Sequence, residues 1–114
     1  MDSKTLIGAV CLTVVVMAPV AVARAQRASG DEAERGRIIV QAECAACHGA
    51  DGNSASPQFP KLAGQKVAYL DAQLEAFQAG ERPSAVMTKV VASVSDADLA
   101  AAARYFSEQT VRAG

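Results

Sequence analysis

The sequence has little of what most metal sites and nucleic-acid surfaces require. Its 114 residues include one histidine and three cysteines, and 11 Lys plus Arg nearly balance 12 Asp plus Glu. This balance argues against nucleic acid or an anionic membrane as the main partner. A tetrahedral zinc site is also disfavoured, because beyond residue 25 the chain offers only two thiols and one imidazole. No strand alternation, repeat or low-complexity tract occurs, so we expect one all-α domain.

A long apolar run is also missing. The run Leu6–Ala18 is shorter than the roughly 20 residues that a membrane span needs. Lys4 precedes it and Ala23-Arg24-Ala25 follows it, which is the pattern of a secretory signal with an A-x-A cleavage site. We therefore expect residues 1–25 to be a cleaved signal and residues 26–114 to be the working domain. An uncleaved N-terminal membrane anchor remains an alternative, because the positive charge before the run is weak.

The two cysteines beyond the predicted signal are Cys44 and Cys47, and His48 follows them directly. A bare pair of thiols in an oxidising compartment would form a disulfide, and a thioredoxin-like redox pair would need a βαβ context that is absent. The adjacent histidine instead makes the motif C-x-x-C-H, the covalent attachment site of a c-type haem. The motif predicts thioether bonds to both cysteines and places His48 to bind the iron from one side.

Met87 is the only methionine beyond the predicted signal. It lies well downstream of His48, in a segment after Pro83 that we expect to be loop-like or partly helical. A thioether there suits the second axial position of a haem iron. The alternatives are ordinary core packing by a methionine and ligation by a deprotonated lysine, which costs free energy near neutral pH. We predict His48 and Met87 as the axial pair.

Turn and periodicity signals divide the rest of the chain. Residues 26–30 are expected to be a flexible lead-in, and Gly49–Gly64 a loop. Gly36 lies inside the first predicted helix, which suggests that another element crosses close to its backbone. The first predicted helix is Asp31–Glu43. The second is Gln65–Ala79, closed by Gly80, with an apolar face formed by Val67, Leu70, Leu74 and Phe77. The capping box Ser95-Asp96-Ala97-Asp98 opens a last helix that ends near Gln109, with Leu99, Ala102, Ala103 and Phe106 facing inward and Tyr105 beside them.

From Asp31 to Gln109 the sequence resembles class I c-type cytochromes, and among them the small bacterial carriers that also occur duplicated as di-haem proteins. The resemblance is carried by Gly36, by Cys44-Ala45-Ala46-Cys47-His48-Gly49, by the proximal loop Phe59–Gln65 and by the middle-helix residues Tyr69, Leu70, Gln73, Leu74 and Phe77. It implies a small fold of three to five helices wrapped around one covalently bound haem c.

The resemblance also implies supporting roles around the iron. The backbone carbonyl of Pro60 would accept a hydrogen bond from His48 Nδ1, and Leu62 would pack on the haem face beside His48. Gly36 would let the first helix cross the last one near Tyr105 and Phe106.

The function that these expectations favour is a periplasmic one-electron carrier between respiratory or dehydrogenase partners, without catalytic activity of its own. The partners would be redox proteins, with no nucleic acid and no stable membrane association once the signal is removed. A first alternative is the cytochrome c subunit of a periplasmic dehydrogenase, which would carry the same haem site. A second is chemistry or gas sensing at the iron, which requires an open or labile sixth position.

Overall fold

The computed structural model describes residues 18–113, and all regular structure in that range is helical. It comprises α1 (Ala18–Ile39), a π-helical turn (Val40–Cys44), α2 (Ala45–His48), α3 (Val67–Gln78), α4 (Ala85–Ser93) and α5 (Asp96–Ser107). The all-α prediction is confirmed. The predicted signal lies outside the described residues up to residue 17, and no helix within residues 18–113 has both the length and the apolar character to cross a bilayer.

Helix α1 is longer than the sequence predicted. It begins at Ala18 and runs without interruption through residues 26–30, so the expected flexible lead-in is wrong. Four alanines between Val20 and Ser29 explain the difference, because alanine has the highest helix propensity. Asp31 consequently lies in the interior of α1 and not in a first turn. The A-x-A site lies within the same helix, and its cleavage remains a prediction.

The crossing of α1 and α5 depends on Gly36. A Cβ atom at this position would overlap the carbonyl oxygen of Ala101 and lie 3.0 Å from Tyr105 Cβ, so only glycine lets the two backbones approach this closely. The predicted crossing of the first and last helices is confirmed. An ion pair between Arg35 and Asp98 joins the same two helices. Ala101 is also buried in this contact, which the predicted inward face of the last helix did not include.

The apolar core has two clusters. The first joins the helical crossing to α3 and contains Val40, Leu70, Ala102, Ala103 and Phe106. The second joins α3, α4 and α5 through Phe77, Val91 and Leu99, and Leu74 packs against both clusters. The inward positions predicted for the last helix are therefore confirmed.

Capping motifs close α3 at its C-terminus and open α4 at its N-terminus. Gly80 adopts φ +73° after α3, and the backbone N–H of Glu81 donates to the carbonyl of Ala76 at 2.9 Å, as in a Schellman motif. The Ser84 hydroxyl accepts a hydrogen bond from the Met87 backbone N–H at 3.1 Å and opens α4. Met87 therefore lies in the first turn of a helix, which confirms the helical alternative for its segment and not the loop-like one.

Ser95 caps α5 as predicted, because its hydroxyl accepts a hydrogen bond from the Asp98 backbone N–H at 3.2 Å. The reciprocal half of the expected capping box differs. The Asp98 carboxylate accepts hydrogen bonds from the Ser95 hydroxyl at 2.9 Å and from Arg35. The Asp98 carboxylate thus binds both a local hydroxyl and an interhelical guanidinium.

Candidate cofactor site

A cavity of about 520 Å³ lies between the cysteine motif, the loop that follows it, and helices α3, α4 and α5. Cys44, Cys47 and His48 line it, and so does Met87, although it is distant in sequence. The other lining residues are mostly apolar and include Leu62, Leu70, Leu74, Phe77, Val90, Leu99 and Phe106. The structure therefore brings every predicted site residue to one apolar cavity.

The His48 ring is buried, and Nδ1 lies 2.9 Å from the carbonyl oxygen of Pro60. A carbonyl oxygen can only accept, so Nδ1 carries the proton and Nε2 is left with a free lone pair. This is the arrangement in which a protein orients a metal-binding histidine and makes its second nitrogen a better ligand. Phe59 holds the ring from the side, with its own ring edge-on and the centroids 6.2 Å apart.

The two cysteines are partly buried and are not bonded to each other. Burial raises the pKa of the Cys44 thiol to about 11, and the negative charge of Glu43 contributes to the same shift. A thiol-disulfide catalyst needs a lowered thiol pKa, because the thiolate is the nucleophile. The environment of Cys44 therefore disfavours the redox-pair alternative and suits a thiol held against an apolar group.

The π-helical turn Val40–Cys44 joins α1 to the cysteine motif. Its wider turn is closed by a hydrogen bond from the Ala45 backbone N–H to the carbonyl of Val40. Val40 is fully buried in the helical core, while Cys44 lines the cavity only four residues later. Cys44 also packs against the core cluster that contains Val40, so this segment runs from the core to the boundary between core and cavity. No residue pattern in the sequence predicts the extra turn width.

The loop after His48 presents the Pro60 carbonyl. The Ser54 backbone N–H donates to the His48 carbonyl at 2.8 Å, and the Gly52 carbonyl accepts from Leu62 at 2.7 Å. Gly52 adopts φ +73°, and a Cβ atom there would lie 2.6 Å from the Phe106 ring. This close approach lets the loop fold back against α5, and in the folded loop the Pro60 carbonyl faces His48 Nδ1.

Arg82 borders the cavity and had no predicted role. Its guanidinium lies 4.8 Å from the centre of the Phe77 ring, within the range of a cation–π contact. It also donates a hydrogen bond to the Gln73 side chain at 2.5 Å. The contacts hold the turn before α4 against α3. Only the position of Arg82 one residue before Pro83 marked it in the sequence.

The cavity fits the predicted haem c in size and in chemistry. Its volume is in the range of cofactor pockets, and its lining is mainly apolar with a few polar groups. The thiols of Cys44 and Cys47 are the groups that would be linked to the macrocycle. His48 Nε2 supplies a nitrogen ligand, and Met87 is the one residue of the cavity that supplies a thioether.

Comparison with known proteins gives results that agree with a haem c site. The family model described as Cytochrome c matches residues 33–109. Cytochrome c4 of Pseudomonas aeruginosa is 49% identical over 73 residues, which cover 64% of this chain and 36% of the relative. A thiosulfate dehydrogenase electron acceptor of Stutzerimonas stutzeri is 43% identical over 68 residues, which cover 57% of this chain and 32% of the relative.

Among solved structures, the crystal structure of reduced recombinant cytochrome c4 from Pseudomonas stutzeri superposes with a TM-score of 0.61 and 45% identity. The match covers 72% of this chain and 47% of that one. The chain thus spans less than half the length of these relatives. The family match over most of the helical domain shows that the chain belongs to the cytochrome c family, whose cofactor is a covalently bound haem c.

Proposed function

We propose that this protein is a one-electron carrier with one haem c, linked to Cys44 and Cys47 and ligated by His48 and Met87. The observation that carries the proposal is the single apolar cavity that brings these four residues together. When bound there, the haem iron supplies a reversible Fe(II)/Fe(III) couple.

The protein holds both ligand-bearing segments in place before any electron is transferred. His48 is fixed by Pro60 through a 2.9 Å hydrogen bond, and the backbone of Met87 is fixed by the Ser84 cap. Ligands that stay in place keep the structural change on electron transfer small. The apolar lining favours the ferrous state because burial penalises the additional charge of ferric iron. Thioether ligation favours the ferrous state as well. We therefore expect a raised reduction potential.

With His48 and Met87 both bound to the iron, no position would remain open for a substrate, which supports a carrier and not an enzyme. Its partners would be redox proteins that dock transiently at the mouth of the cavity, and the predicted secretory signal supports a periplasmic location. The alternative of a dehydrogenase-bound cytochrome draws on the printed name of the similar thiosulfate dehydrogenase electron acceptor. A chain that purifies alone as a monomer and exchanges electrons with added redox proteins would favour the free carrier.

The ligand role of Met87 is tested by Met87→Leu, which conserves side-chain volume and removes the sulfur. We expect the haem to stay attached, the reduction potential to fall and the ferrous protein to bind carbon monoxide. Val90→Ile is the matched control, because Val90 lines the same cavity from the same helix and isoleucine keeps the lining apolar. It should leave the potential and the carbon monoxide response close to those of the unaltered protein. Unaltered behaviour of Met87→Leu would make Met87 a core residue only.

A further inference from the structure

Asn53 is a buried polar residue to which the sequence analysis gave no role; it is 6% exposed. Both ends of its side-chain amide bind the C-terminal segment. Nδ2 donates to the Thr110 carbonyl at 2.9 Å, and Oδ1 accepts from the Arg112 backbone N–H at 2.7 Å. The turn around Asn53 does not need this side chain, because there the Asn53 backbone N–H donates to the Asp51 carboxylate. The amide is therefore committed to the C-terminal segment.

Arg112 extends the contact to the other end of the loop. Its carbonyl accepts a hydrogen bond from Lys61 Nζ at 2.9 Å, and its guanidinium pairs with Asp51 at 2.7 Å. One residue of the C-terminal segment thus contacts both the start and the end of the loop that follows His48. We call Thr110–Arg112, together with Asn53 and Lys61, the C-terminal clasp.

The clasp is close to the group that orients His48. Lys61 directly follows Pro60, and proline has no N–H with which to fix its own position. The placement of the Pro60 carbonyl therefore depends on its neighbours along the loop. Val111, in the middle of the C-terminal segment, also packs on the loop, because a Cβ atom at Gly64 would lie 2.6 Å from Val111 Cγ2.

We propose that Asn53 is a positioning residue for the histidine ligand: by fastening the C-terminal segment across the loop, it holds the Pro60 carbonyl on His48 Nδ1. The clasp has no contact with the cofactor cavity except through Lys61, so it acts on the site by restraining the loop. When Asn53 is replaced, the loop opens more often and the Nδ1 proton of His48 becomes accessible to water.

The test is the exchange of the His48 Nδ1 proton with deuterium, followed by NMR in the reduced haem-loaded protein. Asn53→Ala removes two hydrogen bonds, so this exchange should become roughly tenfold to a hundredfold faster. Ser95→Ala is the matched control, because it removes the α5 cap, lowers global stability and touches no part of the clasp. Exchange in Asn53→Ala equal to that in Ser95→Ala would overturn the proposal.

A second variant keeps the test independent of how well Asn53→Ala folds. Lys61→Met removes only the exposed ammonium that binds the Arg112 carbonyl, and it should accelerate the same proton severalfold. No acceleration would overturn the proposal. Combined with Asn53→Ala it should give less than the product of the single effects, because both act on one clasp.

The role of Asn53 rests on the proposed ligand role of His48, and the NMR signals of the His48 ring test the two roles separately. His48 ring signals without the large ring-current displacement of an axial ligand would contradict the proposed function. Displaced signals with unchanged exchange in either clasp variant would contradict the clasp alone.

Discussion

The close crossing of α1 and α5 makes Gly36→Ala a strongly destabilising substitution. The added methyl group would overlap the Ala101 carbonyl oxygen and come within 3.0 Å of Tyr105 Cβ. Because the first of these atoms belongs to a helical backbone, it cannot move away alone, and the two helices must separate. Overpacking of this kind costs about 1–3 kcal/mol, and the backbone contact places Gly36→Ala near the upper end. The higher helix propensity of alanine returns about 1 kcal/mol, which leaves a net loss of about 2 kcal/mol.

Gly30→Ala is the matched control for this experiment. Gly30 lies in the same helix, and a Cβ atom there would meet no atom within 4 Å. The same chemical change should therefore be neutral or stabilising by up to about 1 kcal/mol. The assay is denaturant unfolding of the haem-loaded protein followed by circular dichroism, comparing the midpoints of both variants with the unaltered chain. Equal stability of Gly36→Ala and Gly30→Ala would refute the close-crossing argument.

Two further predictions concern acid stability and cofactor attachment. The pKa of Asp98 is lowered by its hydrogen bonds to Arg35 and Ser95, so the unfolded chain binds the proton more readily than the folded one. The stability that Asp98 contributes is therefore present above its ordinary pKa of about 3.9 and is lost as the pH falls through the lowered value. Unfolding midpoints measured between neutral and acid pH should decline less in Asp98→Asn than in the unaltered protein. An equal decline in the two proteins would contradict this role. Cys47→Ser should lower the yield of covalently bound haem, measured after denaturing extraction, whereas Ala46→Ser within the same motif should not. Full yield in Cys47→Ser would contradict the role of the motif in haem attachment.

Much of the fold could be predicted because its signals are local. Of the apolar face predicted for α3, Leu70 and Phe77 are buried and Leu74 packs on both clusters, whereas Val67 at the start of the helix is exposed. An isolated glycine in a helix indicated the crossing at Gly36. The contact between Pro60 and His48 came from the family resemblance, since nothing in the residues alone favours a carbonyl at that atom. The periodicity held because it depends on a few neighbouring residues, whereas the partners of Gly36 and His48 were supplied by the resemblance.

Some of the missed features depend on distant partners. The amide of Asn53 binds residues more than fifty positions away. The π-helical turn Val40–Cys44 is local, but no residue pattern marks it in the sequence. Asp98 was predicted to complete a local capping box but pairs with Arg35 across a helix crossing. A local signal was also incomplete: Pro83 left the segment of Met87 open between a loop and a helix, and the Ser84 cap starts a helix immediately after it.

We propose that Met87 completes the coordination of the iron in a haem that is linked to Cys44 and Cys47 and ligated by His48. The most direct measurement is the near-infrared spectrum of the oxidised, haem-loaded protein. We expect a weak charge-transfer band from the methionine sulfur to ferric iron, and we expect Met87→Leu to lack it. A haem-loaded, oxidised protein without that band would contradict the account, because the sixth position would then be open or filled by another group.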